Sequence, residues 1–392
     1  PPNRVVFVFS RSPPHSGRKK KRIADGYILT TVVRRRLALS SSLHDLSGNS
    51  FQRLCDPTSV RSRKYGTGEV SVPERFGAEL PAFHEVGVNR PRNRYPGSPP
   101  AFWSGYKVKD YGDVAVEGNP DLIVDKAIES DVVGKTTRNI RDAVAAAVSS
   151  GRLTVNLGGD HSSAIGTVTG HAAATHSDVA LIWIDAHADM NTLKSSGSGN
   201  LHGMPVSFLL HEMAPFVTKP PSLEWVQPCV HRENFAFIAL RDVDSYERYF
   251  IDHLGITTFG MAEIDRVGIR ETIQRVLKKI NPTGTKSLHV SFDIDSIDKL
   301  IAPSTGTSVI GGLTMREAFV IAEEVHQSGE ILRVLDLTEV NPRLGTVEEV
   351  KRTVGCGVDV ISAFFGNQRK GNPPLELDSA VVGENTVHKG SQ

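Results

Sequence analysis

Cysteine is scarce: three residues in 392, Cys55, Cys229 and Cys356, lie far apart. That excludes a disulfide scaffold and a cysteine-ligated zinc framework, and fits a reducing or matrix-like compartment. No apolar run reaches the length that spans a bilayer, so no membrane partner is expected. No internal repeat is present, which removes solenoids and propellers. Aromatic residues make up 7% and hydrophobic residues 39%, modest for a folded chain and diluted by polar flanks. Overall charge bias is also missing, with a formal net charge of +1.

That neutrality conceals two unlike pieces. Residues 1–100 hold 18 Lys and Arg against 7 Asp and Glu, a balance of +11, and the remainder carries −10. Arg18-Lys19-Lys20-Lys21-Arg22 and Arg34-Arg35-Arg36 are basic runs, Ser40-Ser41-Ser42 follows, and Asp25 is the only acid before residue 44. Such composition fits a mitochondrial transit segment. A disordered basic tail, a wrongly translated stretch, and a nuclear or nucleic-acid-binding signal fit it too. Residues 86–102, rich in Pro, Asn, Arg and Gly, read as a linker. The expected division is a basic amino-terminal region over 1–104, a catalytic domain over 105–371 and a polar tail over 372–392.

From Tyr106 onward strands and helices alternate. Tyr106 to Val108 leads into a short strand and turn at Asp110 to Asp113. Residues 135–150 are Ala-rich and helical, ending near Gly151. Phe235 to Leu240 reads as a strand, Ala262 to Ile280 as one helix before Pro282, and Ile331 to Leu337 as a strand. Thr314-Met315-Arg316-Glu317 is a capping box opening a helix through Val325, and a long helix covers 347–364. The pattern implies an α/β fold: a single three-layer α/β/α domain with a mostly parallel sheet. In such sheets ligands bind beyond the carboxyl ends of the strands.

Three acidic clusters fall at those ends. Gly158-Gly159-Asp160-His161-Ser162 follows the apolar run Leu153 to Leu157. Asp185-Ala186-His187-Ala188-Asp189 follows Val179 to Ile184. Ser291-Phe292-Asp293-Ile294-Asp295 closes Leu288 to Phe292. Continued strand geometry would point Asp185, His187 and Asp189 to one side, and likewise Asp293 with Asp295. A lone Asp-x-Asp at a strand end is ordinarily a solvated loop; an ordered set of three is not. Four carboxylates gathered there repel one another unless cations intervene, and two divalent ions balance their charge. Ligation by oxygen and two imidazoles, without thiolate, favours a hard or borderline ion such as Mn2+. His171, His176, His211, His231, His253 and His326 lack motif context and read as structural or surface groups. Trp183 reads as core.

These clusters, with Gly306-Thr307, Gly311-Gly312-Leu313-Thr314 and Glu339-Val340-Asn341-Pro342, resemble the ureohydrolase family and, within it, the arginases (an arginase/deacetylase-like fold). The similarity runs from about Gly105 to Gly371. Asn191-Thr192 with Ser198-Gly199-Asn200-Leu201-His202-Gly203 resembles the arginase substrate loop, and Arg241-Asp242-Val243-Asp244 with Glu247 a second substrate segment. The wording of the metal motifs and of Ile321 to His326 resembles mitochondrial type II arginases more than the cytosolic liver type. The resemblance implies hydrolysis of the L-arginine guanidinium to L-ornithine and urea by a metal-bridging hydroxide, with two Mn2+ per chain. One ion would take His161, Asp185, Asp189 and Asp293; the other Asp185, His187, Asp293 and Asp295. His202 would donate or shuttle a proton, Asp189 and Glu339 would complete the catalytic set, and Glu339 would orient the guanidinium. Asn191, Ser198, Asn200, Asp244 and Glu247 would bind the amino-acid end of the substrate. A homotrimer in the mitochondrial matrix is implied as well, with no nucleic-acid partner.

The sequence departs from that family in places. The first strand and its Gly-rich loop are not recognisable; Val5 to Ser10 is the closest echo, which leaves an expectation of an unpaired or rearranged sheet edge. Ser296 stands where Gly or Ala is usual, and Lys299 and Ser308 stand where Pro is usual. The alternatives to arginase are an agmatinase or other guanidino-compound ureohydrolase, and a non-catalytic paralogue.

Overall fold

The computed structural model describes residues 4–9 as backbone, then 107–119, 121, 127, 129–329 and 331–370. The basic runs, the linker and the polar tail of residues 372–392 lie outside the described residues. Eight strands form one sheet: β1 (Arg4–Phe9), β2 (Lys107–Asp113), β3 (Leu153–Leu157), β4 (Val179–Ile184), β5 (Phe235–Ile238), β6 (Thr257–Phe259), β7 (Ser287–Asp293) and β8 (Leu332–Thr338). Their order is β2-β1-β3-β8-β7-β4-β5-β6, and every pairing is parallel. Among the described residues the helices are α1 (Ser130–Ser149), α2 (Ala164–Thr175), α3 (Pro205–Leu209), α4 (Ser245–Leu254), α5 (Met261–Val267), α6 (Ile269–Ile280), α7 (Met315–Gln327) and α8 (Val347–Phe364).

Strand β4 shows why helices cover both faces. All six of its residues are buried. Ala180, Ile182 and Ile184 pack with Ile273, Val276, Ile321, Val325 and Val360 of α6, α7 and α8. Val179, Leu181 and Trp183 pack on the opposite face with Ala164, Val168, Leu209 and Phe250 of α2, α3 and α4. A period of two thus fills two cores, as a fully covered parallel sheet requires.

The structure differs from the sequence reading in four places. Arg4–Phe9, a run of Val and Phe with high strand propensity, pairs with β2 on one side and β3 on the other. The position expected to be empty is therefore filled. The single helix expected over Ala262 to Ile280 is two, because Gly268 adopts φ 81° between α5 and α6, a conformation natural to glycine. The strand expected to reach Leu240 stops at Ile238, where Ala239 turns to φ 78°. The helix expected from residue 135 begins at Ser130. The expected capping box is present, Thr314 with Glu317, and two more, Asp244 with Glu247 and Thr346 with Glu349, start α4 and α8.

Helices α1 and α2 approach closely at Gly166, where a Cβ would fall 2.8 Å from Ile140 Cβ and nearer still to the Thr137 carbonyl oxygen. Gly166→Ala is expected to lower stability by about 2 kcal/mol through overpacking, read as a lower denaturant midpoint at constant slope. Gly355→Ala, on α8 with nothing within 4 Å of the new methyl, should be neutral or stabilising by up to about 1 kcal/mol.

Candidate metal centre

Four adjacent strands, β3, β8, β7 and β4, deliver the acidic clusters to one edge of the sheet. Asp293 is still the last residue of β7, but beyond it and beyond Asp185 the ligand segments are not extended. Beyond β4 the chain bends and Asp189 sits at φ 48°; beyond Asp293 it enters a 3-10 turn over Ile294–Ser296. Convergence comes from these turns, not from continued strand geometry.

His161 Nδ1 lies 2.9 Å from Asp185 Oδ2, 3.1 Å from Asp189 Oδ2 and 3.1 Å from Asp293 Oδ2. His187 Nδ1 lies 3.4 Å from Asp185 Oδ1 and 3.2 Å from Asp295 Oδ2. Two overlapping groups result, His161-Asp185-Asp293 and Asp185-His187-Asp295, each with ligand atoms within 4.8 Å of one another. Asp185 belongs to both; Asp189 borders the first through His161.

The donor set fits divalent cations on an observation independent of motif. His161 Nδ1 is buried, ringed by three carboxylates, and has no hydrogen-bond partner of proper geometry. Its other nitrogen, Nε2, is 2.9 Å from Ser291 Oγ. Ser291 Oγ donates to Asp336 Oδ2, so it accepts from Nε2–H, and Nδ1 is the nitrogen that faces the carboxylates and would meet a cation. That is the tautomer a metal ligand needs. Trp183, read as core, stacks on the His161 ring at 4.0 Å and donates Nε1–H to Asp185 Oδ2 at 3.0 Å. Its indole both fills the core and orients two ligands.

Without cations, protons fill the centre. Burial opposes a charge on His187, yet Asp185 and Asp295 push it up to about 12. Burial likewise opposes charge on His161, and Asp185, Asp189 and Asp293 hold it well above its ordinary value. Asp189 is raised to about 6 by burial and by Asp185. Asp293 is raised by burial, Asp295 and Asp185.

A second group adjoins the first. His202 Nδ1 lies 3.1 Å from Glu339 Oε1, which also accepts from the His161 amide at 2.9 Å. Burial opposes charge on His202, but Glu339 pushes it up to about 9. Glu339 sits at φ 59° just past β8. On the loop, Asn191 Nδ2 donates to Asp244 Oδ2 at 2.7 Å, and Asn191 Oδ1 accepts from Ser195. Ser198 Oγ accepts from the Asn200 amide. Asp244 caps α4 by accepting from the Tyr246 and Glu247 amides. Glu247 is buried, with Oε1 taking the Met190 amide and Oε2 the Asp244 amide. Thr307, of the Gly306-Thr307 motif, donates to Asp295 Oδ2 at 3.0 Å. The sequence reading did not reach Asp336 or the role of the Trp183 indole N–H, whose signal lay only in three-dimensional proximity.

Residues 88–366 match the model of the arginase family. The chain belongs to the arginase family. It is 44% identical over 270 residues to mitochondrial arginase-2 of Homo sapiens, covering 68% of this chain and 76% of that one. Arginase-1 of Homo sapiens is 44% identical over 267 residues, covering 68% and 82%. Among solved structures, arginase from Bacillus caldovelox superposes with a TM-score of 0.60 at 32% identity, over 67% of this chain and 86% of that one. Arginase-family members are metal-dependent hydrolases, and the two overlapping ligand groups are where this chain would hold its ions.

Cation uptake by the metal-free protein must displace protons from His161 and His187. Affinity for Mn2+ is therefore expected to rise with pH, by about tenfold or more between about pH 6.5 and about pH 8.5, with protons released on binding. Calorimetric titration in buffers of different ionisation enthalpy reads both; pH-independent affinity without proton release would contradict the assignment.

Proposed function

We propose that this chain hydrolyses L-arginine to L-ornithine and urea at a centre of two Mn2+ ions. The observation that carries the reading is the shared Asp185 carboxylate between two buried His/Asp groups, beside the His202–Glu339 pair. His161, Asp185, Asp189 and Asp293 would hold one ion, and Asp185, His187, Asp293 and Asp295 the other. When bound, such ions activate water at neutral pH and polarise the guanidinium carbon's surroundings.

The remaining steps belong to the chain's own groups. Glu339, a partly buried carboxylate just past β8, orients the substrate guanidinium by charge-assisted hydrogen bonds. His202, protonated up to about pH 9 through Glu339, gives a proton to the leaving amine at its Nε2 side. Asp189, beside His161, receives and holds a proton within the centre. Asn191, Ser198 and Asn200 offer neutral donors to the α-carboxylate, and Asp244 offers a carboxylate to the α-ammonium. Glu247 steadies that second segment through the Asp244 and Met190 amides. An α-carboxylate site is what separates arginine from agmatine. By the same reading the chain works as a homotrimer and in the mitochondrial matrix; the human relative it resembles carries the name mitochondrial arginase-2. Sedimentation and import assays address those two points.

Urea release from L-arginine after incubation with Mn2+, with agmatine and metal-free protein in parallel, tests the activity. Turnover of arginine only, and only with metal, is the expected result; preference for agmatine would overturn the substrate assignment. For His202→Asn, kcat should fall by about 10²–10⁴. The sign for pH follows from the proton donor: His202 acts protonated, so wild-type activity should decline as pH rises through about 9, and the variant should lose that limb.

A further inference from the structure

Arg241 lies in the segment Arg241-Asp242-Val243-Asp244 ascribed to substrate, but its guanidinium is spent on main chain. Nη2 donates to Asp295 O at 2.6 Å and Val309 O at 2.9 Å. Nη1 donates to Ser296 O at 3.3 Å and Ala239 O at 3.4 Å, and Nε to Ile310 O at 3.2 Å. Five carbonyl oxygens meet the five N–H donors of the fork. The seat is tight: a Cβ at Gly312 would fall 2.6 Å from Nη2.

The backbone of the same residue reaches a second ligand segment. The Arg241 and Asp242 amides both donate to Ala186 O, at 2.9 and 3.0 Å. Ala186 sits between Asp185 and His187, and its amide donates to Asp295 Oδ1 at 3.3 Å. One residue thus joins the end of β5, the Asp185–His187 segment, the Asp295–Ser296 turn and the loop at Val309 and Ile310.

That loop is also held by the Lys299 amide, which donates to Val309 O at 3.3 Å, and at its base by the Asp298 amide donating to Leu313 O and the Leu313 amide to Ser296 O, both at 2.9 Å. Leu300 and Ile310 are exposed by 77% and 69%, so apolar burial does not anchor it there. Asp298 holds its base by accepting from the Leu300, Gly311 and Gly312 amides. Arg241 holds its far side.

We propose that Arg241 is a positioning residue of the metal centre, clamping the Asp295 turn and the 309–312 loop so that Asp295 stays against Asp185 and His187. The proposal rests on the reading that these groups hold cations. A lysine would keep the charge and lose the planar fork, which alone can serve five carbonyls at once. Burial opposes the guanidinium charge, and the fields of Asp295, Asp185, Asp298 and Asp293 sustain it.

The test compares wild type, Arg241→Lys and Arg241→Met in the full chain. It uses calorimetric Mn2+ titration and, on metal-free protein, amide hydrogen exchange over residues 294–313. Arg241→Met should bind Mn2+ about tenfold or more weaker, with the loss concentrated on one cation. Its 294–313 amides should exchange faster while those of β3 and β8 do not, and Arg241→Lys should fall between. Wild-type affinity and exchange in Arg241→Met would overturn the proposal. If Arg241→Met does not fold, Arg241→Lys carries the comparison, and wild-type behaviour there overturns it. Wild type that binds no Mn2+ would overturn the metal reading instead, and unchanged 294–313 exchange in the variants would still overturn the clamp.

Discussion

Asp185, Asp189, Asp293 and Asp295 are buried together where β4 and β7 end, and their mutual repulsion is the constraint around which this fold is organised. Two like charges about 4 Å apart at an effective dielectric near 20 cost about 4 kcal/mol. Folding places four of them side by side. Protons on His161 and His187 relieve part of the cost, which is why both imidazoles are held above their ordinary values. A divalent cation would bring more positive charge into the cluster than a proton, and would take as a ligand His161 Nδ1, which has no hydrogen-bond partner. The same electrostatics that make the metal-free centre costly favour a cation there.

Bringing the carboxylates together has a conformational cost too. Asp189, Ala239 and Glu339 are non-glycine residues at positive φ, Ala239 and Glu339 one residue past β5 and β8 and Asp189 five residues past β4. Each such residue stores roughly 1–3 kcal/mol, tolerated only where surrounding structure over-determines it. The surroundings do so here. Glu247 receives the Met190 amide next to Asp189, the Ala239 amide donates to Phe259 O, and the Glu339 amide donates to Gly159 O. Strands deliver the ligands to the right edge, and strained turns aim them.

The division between what could and could not be read from sequence follows the same line. The α/β alternation, the parallel sheet and the strand-end location of the acidic clusters were legible, because they depend on local periodicity and apolar runs. Gly268 was visible as a letter but not as a helix break, since nothing local distinguishes a tolerated glycine from one at φ 81°. The expectation that Asp185, His187 and Asp189 share a strand face reached the right neighbours by a geometry the chain does not adopt. Val5 to Phe9 looked too faint to be the missing strand, because partnership with β2 and β3 is decided by residues more than 90 positions away. Trp183 was read as core, and it is; its hydrogen bond to Asp185 depends on a side-chain direction that sequence does not carry.

Strand β7 shows most plainly why such a site needs a buried foundation. Its sequence, Ser-Leu-His-Val-Ser-Phe-Asp, alternates like a strand with one face in water, yet six of its seven residues are buried and the first is half-buried. Leu288, Val290 and Phe292 enter the core against α7 and α8. Ser287, His289 and Ser291 face a polar seam beneath α2 instead: Ser287 meets His171, His171 meets His289, and His289 meets Asp336 at 2.8 Å. Asp336 also accepts from Asn156 and Thr167, and Ser291 passes the chain of contacts to His161. Burial pulls His171 well below its ordinary value, so the seam keeps a neutral imidazole at its far end and the Asp336 carboxylate in its middle. A polar line of this kind is stable only if each member is satisfied by the next. Asp336 is the member that Ser291 Oγ donates to, so the carboxylate sets the direction of the hydroxyl that meets His161 Nε2. The alternation in β7 is therefore not the mark of a wet surface but of a second, internal face, built to fix the direction of a single nitrogen at the metal centre.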